Sequence, residues 1–238
     1  MQYDKIHVKH IEKDRKKMHT IHHRSPNFDK RQLKINKIVL HYTDMLTAHE
    51  SISRLCDVEA KVSAHYLIDT DGTIHELVDE LDRAWHAGVS FWAEEEDLNS
   101  SSIGIELQNR GQQHGYEDFP NAQIEALIIL INDIKTRYKI VKQNVLAHSD
   151  IAPDRKIDPD YKFPWVKLAD ANIVIAPEPV ETDIPLLDLC DMIGYDISNP
   201  KQTIEAFQRR YRPSKIDGIE DRECQHLAMG VILAMERI

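Results

Sequence analysis

One histidine, one lysine and three aspartates fall within the eleven residues His148–Asp158 (HSDIAPDRKID). The apolar lead-in Asn144-Val145-Leu146-Ala147 reads as a short strand, so His148 sits at or just past its end. Pro153 and Pro159 fix φ and lack an N–H, which predicts an ordered loop and no regular helix from His148 to Asp158. Such a loop can fold His148 and Asp158 back onto one point. A neutral imidazole and a carboxylate make half of a zinc shell, and a catalytic zinc takes three protein ligands and keeps one position open. The third ligand must come from elsewhere. Its best candidate is His41.

Three elements must bring these groups together. Ile38-Val39-Leu40 reads as a buried strand delivering His41 at its carboxyl end. Ser102–Asn109 (SIGIELQN) reads as a second strand, whose alternation sets Glu106 opposite in sense to Ile105 and Leu107. An acid in so apolar a strand is expensive to bury without a partner. Asp71-Gly72 lies between His65–Asp69 and Thr73–Val78, a hairpin signal. Ile52, Leu55 and Cys56 recur at helical spacing between Ala48 and Val58. Ile124, Leu127, Ile128, Ile131 and Ile134 mark one face of a helix opening at Pro120-Asn121, with Asn121 as expected N-cap. Strands alternating with helices predict an α/β fold with a mixed central sheet flanked by helices.

The strings SPNFDKRQ (25–32), IVLHYT (38–43), SAHYLIDTDGTIHELV (63–78), WHAGVSFW (85–92), SIGIELQN (102–109) and AHSDIAPDRKIDP (147–159) occur in this order. Together they resemble the zinc-dependent N-acetylmuramoyl-L-alanine amidases, most nearly the bacterial type 2 enzymes that cleave muropeptides, whose fold is related to peptidoglycan recognition proteins. The likeness covers roughly residues 25 to 168. It implies a hydrolase that uses one Zn2+ per chain, bound by His41, His148 and Asp158, to cut the amide between N-acetylmuramic acid and L-alanine in peptidoglycan or muropeptides. It implies Glu106 as general base and Lys156 as the cation beside the oxyanion; an ordinary surface lysine is the alternative for Lys156. It also suggests His86, Trp85 and Asn27 as substrate-lining, although core packing explains Trp85 equally well. His65 and His75 read as hydrogen-bonded structural histidines. The rival reading is a non-catalytic peptidoglycan-recognition protein of the same fold, which the joint presence of His41, Glu106, His148 and Asp158 disfavours. A purely structural zinc would call for a closed, cysteine-rich set, and Cys56, Cys190 and Cys224 lie in no ligand motif.

Composition sets the outer bounds. The 238 residues carry a formal charge of −10 and 42% hydrophobic residues, which suits a soluble globular chain. An acidic surface argues against nucleic acid as a partner, and no apolar run reaches membrane-spanning length. A monomer is expected. Three cysteines at unrelated positions imply buried free thiols and no disulfide framework. Residues 1–34 differ, with ten Lys/Arg against four Asp/Glu and the histidines His7, His10, His19, His22 and His23. They read as a basic extension, of which 25–34 joins a catalytic domain at 35–170. No leader is visible at Met1–Lys5; the cell envelope is the expected site of action, with the cytoplasm as the alternative.

Past Trp165 the composition changes. A semi-rigid acidic linker is expected at 171–184 around Ala176-Pro177-Glu178-Pro179. Three short helical patterns follow in 185–238, built on Leu186/Leu189/Ile193, Ile204/Phe207/Tyr211 and Cys224/Leu227/Ala228/Val231/Ile232/Met235. They are similar to the small three-helix peptidoglycan-binding module of many wall amidases. A helical extension packed on the catalytic domain is the other reading.

Overall fold

Alternation along one buried strand divides the molecule into two layers. In β3 (Lys37–Tyr42), Ile38 and Leu40 enter one apolar core while Val39 enters another, because successive side chains point to opposite faces. The computed structural model describes residues 19–237; the stretch 1–18, with His7 and His10, lies outside them.

The central sheet has six strands in the order β1-β5-β4-β7-β3-β8, formed by Thr20–His22, Ile74–Glu76, Tyr66–Ile68, Ser102–Leu107, Lys37–Tyr42 and Val145–Ala147. All neighbours are parallel except β4 and β5, which are antiparallel around the Asp71-Gly72 turn, with Gly72 at φ +90°. Two further strands, β2 (Phe28–Lys30) and β6 (Asp82–Ala84), pair antiparallel beside it. This is the mixed α/β architecture expected.

One face is covered by α3 (Asn121–Tyr138), through Ile124, Leu127, Leu130, Ile131 and Ile134, and by α5 (Trp165–Asp170). Asn121, expected as the N-cap, is the first helical residue instead; Pro120 precedes it and has no side-chain donor or acceptor. On the opposite face α1 (Ala48–Leu55) packs Ala48 and Leu55 on Leu67 and Leu77. The short α2 (Leu98–Ser101) leads into β7.

That second face also receives the C-terminal helices α6 (Leu186–Ile193), α7 (Pro200–Tyr211) and α8 (Arg222–Met235). Leu186, Leu189, Phe207 and Val231 share one core with Val39, Leu146, Trp92 and Ile151. Within 171–184, Ile173, Val174 and Ile175 are buried, so only the stretch beyond this apolar triplet has the exposure expected of a linker. Cys190 and Cys224 are buried and Cys56 is partly buried; all three are free thiols. Among the described residues no helix is long and apolar enough to cross a membrane.

Candidate metal centre and active site

Strand register assembles most of the site. His41 of β3 pairs directly with Glu106 of β7, and Leu40 pairs with Ala147 of β8. The residue after Ala147 is His148, so Glu106, His41 and His148 stand in one row across three parallel strands. Both histidines point away from the α3 layer, as the alternation predicts.

The loop that returns Asp158 differs from expectation in one detail. A single helical turn, α4 (His148–Ile151), comes first, with the Ala147 N–H bonded to the Asp150 carboxylate at 2.7 Å. Pro153 prevents its continuation. The Ser149 N–H then donates to the Asp158 carbonyl at 3.0 Å, tying the far end of the loop to its start.

Three atoms converge: His41 Nδ1 and His148 Nδ1 lie 2.9 Å apart, and Asp158 Oδ2 lies 3.2 Å from the first and 3.0 Å from the second. All three residues are buried. Their partners set the tautomers. His148 Nε2 faces the Ala87 carbonyl at 3.2 Å, which can only accept, so Nε2 carries the proton and Nδ1 presents a lone pair. For His41 the chain is longer. Ser102 Oγ donates to the Leu98 carbonyl at 2.5 Å, and therefore accepts from His86 Nε2 at 3.2 Å. His86 Nδ1 is left to accept from His41 Nε2 at 3.1 Å, which again leaves a lone pair on Nδ1.

Two imidazole lone pairs and a carboxylate oxygen thus point at one another with no proton to share. Such a set calls for a cation. Ligand atoms about 2.0–2.2 Å from a tetrahedral ion sit roughly 3.3–3.6 Å apart, a few tenths of an ångström wider than the 2.9–3.2 Å found, and an N2O donor set suits a borderline divalent ion.

Burial, followed by the neighbouring His148, holds the His41 imidazole down to about 4. Burial pushes the Asp158 carboxyl up, but the two imidazoles beside it, His148 foremost, outweigh burial and hold it well below the usual range. Glu106 behaves oppositely. Burial, reinforced by Asp158 and opposed by Lys156, raises its carboxyl well above the usual value. Its Oε2 is sealed from solvent and has no hydrogen-bond partner among the described residues.

A cavity of about 500 Å³ opens over this row, lined among others by His41, Glu106, His148, Lys156 and Asp158. Trp85 and His86 border it. Trp85 is half-buried and donates Nε1 to Asp29 Oδ2 at 2.8 Å. His86 spends both ring nitrogens on His41 and Ser102. It can lie there because position 104 is glycine: a Cβ on Gly104 would come within 2.4 Å of His86 Cγ. Asn27, expected in the lining, is not there. It is fully buried, and its amide donates to the Asp57 and Val62 carbonyls, both at 2.8 Å. His65 is buried, its Nδ1 accepting from the Gly104 N–H at 2.9 Å, and His75 lies 3.0 Å from His23.

Other supporting residues escaped the sequence reading. Arg31 donates through one nitrogen to the carbonyls of Asn99, Ser100 and Ser102, anchoring the start of β7. Arg155 bonds the Ala87 and Val89 carbonyls and holds the segment that orients His148. Their targets are backbone atoms, which leave no mark in sequence.

Residues 31–161 match the N-acetylmuramoyl-L-alanine amidase family. The chain is 38% identical over 233 residues to the N-acetylmuramoyl-L-alanine amidase AmiD of Escherichia coli (strain K12), covering 84% of this chain and 83% of that one. It is 37% identical over 161 residues to the 1,6-anhydro-N-acetylmuramyl-L-alanine amidase AmpD of Haemophilus influenzae, covering 59% of this chain and 85% of that one. In three dimensions it resembles E. coli AmiD in complex with its substrate anhydro-N-acetylmuramic acid-L-Ala-D-γ-Glu-L-Lys, with a TM-score of 0.77 at 36% identity, covering 87% of this chain and 92% of that one.

Proposed function

The chain belongs to the N-acetylmuramoyl-L-alanine amidase family, and we propose that it hydrolyses the amide between N-acetylmuramic acid and L-alanine with a zinc ion held by His41, His148 and Asp158. Muropeptides, including those with an anhydro sugar, are its substrate class. When bound, such an ion polarises the scissile carbonyl and makes a neighbouring water a better acid.

The observation that carries this reading is the Glu106 carboxylate, in register with His41 and with a buried oxygen that has no partner among the described residues. A buried carboxylate, its basicity raised by lost solvation, can take the proton of the attacking water and return it to the departing amine nitrogen of L-alanine. Lys156 lines the same cavity and supplies positive charge where the carbonyl oxygen becomes anionic. Trp85 offers an apolar border for the sugar. The helices of 185–238 serve as the wall-binding part of the molecule while sharing the core of the catalytic sheet.

The test is product analysis. Zinc-loaded protein incubated with a purified anhydro-muropeptide should release the free sugar and a peptide with an L-alanine amino terminus, each identified by mass spectrometry. Binding of the muropeptide without any cleavage would favour the recognition-protein alternative.

A further inference from the structure

We infer that Arg209 and Arg210 of α7 are positioning residues for the metal ligands, so that the C-terminal helices hold the catalytic loop in shape as well as covering the sheet. This rests on His148 and Asp158 being the ligands proposed above.

The two arginines reach two aspartates at matching distances along the chain. Arg210 pairs with Asp150, two residues after His148. Arg209 Nε donates to Asp160 Oδ1 at 3.2 Å, and Asp160 is two residues after Asp158. Each ligand therefore has, one dipeptide downstream, a carboxylate gripped by the same helix.

Both grips are buried and multiply bonded. The Arg210 guanidinium also donates to the Val145 carbonyl at 2.9 Å and lies 4.3 Å over the Trp165 ring. Asp150 Oδ1 accepts from the Tyr195 hydroxyl at 2.8 Å, while Oδ2 accepts from the Ala147 N–H at 2.7 Å. Asp160 Oδ2 accepts from Gln112 Nε2 at 2.6 Å. Asp160 also sits at φ +67°, a conformation non-glycine residues adopt only when their surroundings demand it. Charges sealed this way keep fixed geometry because neither partner can turn to water. Loop 148–158 is thus pinned at its strand end by Arg210 and just past its far end by Arg209, and the His148–Asp158 spacing depends on both.

The test compares full-length Arg209→Gln and Tyr195→Phe proteins with the parent and with Lys201→Ala, an exposed change on α7. Zinc affinity of each metal-free protein is measured by chelator competition, and the absorption bands of the cobalt-substituted forms are recorded. Partners behind metal ligands typically contribute about 10–100-fold in affinity. Arg209→Gln and Tyr195→Phe should therefore weaken zinc binding by at least about tenfold and shift the cobalt bands, while Lys201→Ala does neither. Turnover of the zinc-saturated variants should fall with KM steady. If Arg209→Gln fails to fold, Arg209→Lys, which keeps the charge and loses the Nε donor to Asp160, decides in its place. Folded variants with parental zinc affinity and cobalt spectra would overturn the inference. A parent chain that takes up no zinc would remove the underlying site reading together with it, a result distinct from unaffected variants.

Discussion

His41 Nε2 stands 3.1 Å from His86 Nδ1, and the two rings meet edge to face with centroids 5.1 Å apart. His86 connects His41 to a backbone carbonyl through Ser102, so the lone pair that would bind the ion is dictated three groups away.

Replacing His86 should act on the metal before it acts on substrate. In His86→Ala the His41 ring is free to turn and to protonate Nδ1. Zinc affinity should fall by about 10–100-fold with little change in KM at saturating metal. Chelator competition measures it, and unchanged affinity would return His86 to a substrate-contact role.

Base and metal should separate experimentally. Glu106→Gln keeps the side-chain shape and loses the proton acceptor, so it should bind zinc as the parent does while kcat drops by about 10²–10⁴-fold. Lys156→Ala should lower kcat more than it raises KM, because its charge is most useful in the transition state. Steady-state kinetics with metal analysis checks both. A loss of less than about tenfold for Glu106→Gln would count against its assignment.

Acid should destabilise the fold partly through a histidine outside the metal centre. Burial, and then the nearby Arg31, hold the buried His65 imidazole down to about 3. The folded state keeps it neutral, whereas the unfolded chain protonates it near pH 6.5. The unfolded state therefore binds more protons between these values, and stability rises with pH across that window. Its contribution is complete above about pH 6.5 and lost as pH falls toward 3. Denaturant unfolding of metal-free protein from pH 4 to 7 should show a shallower pH slope in His65→Gln than in the parent.

Truncation tests how the helices are attached. The proline-bearing stretch near 177 suggests that a chain ending at Asp170 would fold and cleave soluble muropeptides. The packing points the other way. Removing 171–238 uncovers Val39, Leu146 and Ile151 and strips Asp150 and Asp160 of their arginines. An unpaired buried carboxylate alone costs about 3–5 kcal/mol. Thermal unfolding and zinc binding of that chain should both be severely impaired, and a cooperative melt near the parental Tm would show the helices to be dispensable.

The sequence was most informative where side-chain chemistry and backbone punctuation coincide. Of the three groups that converge, His41 and His148 could be singled out because each ends an apolar strand, and Asp158 because it shares a proline-stiffened loop with His148. Glu106 stood out as an acid in an apolar strand, and the sheet-and-helix layering followed from periodicity. Backbone partners were invisible: nothing in the string marks the carbonyls of Ala87 and Leu98 that fix the two histidine tautomers. Asn27, which the resemblance suggested for the lining, spends its amide on two loop carbonyls, contacts that nothing in the string marks. The pairings of Arg209 and Arg210 were equally invisible, since contacts over 49 and 60 residues leave no local pattern.

The pairing of His41 with Glu106 makes the distance between the proposed ligand and the proposed base a stepwise quantity. A strand can shift against its neighbour only by whole residues: one step turns Glu106 to the α3 face, and two steps carry it roughly 6.6 Å along the strand. No series of small slips joins a working arrangement to a slightly altered one. Insertions and deletions can therefore accumulate in the surface loops around the cavity and reshape substrate preference, while the interiors of β3 and β7 have to keep their length for any enzyme built on this row.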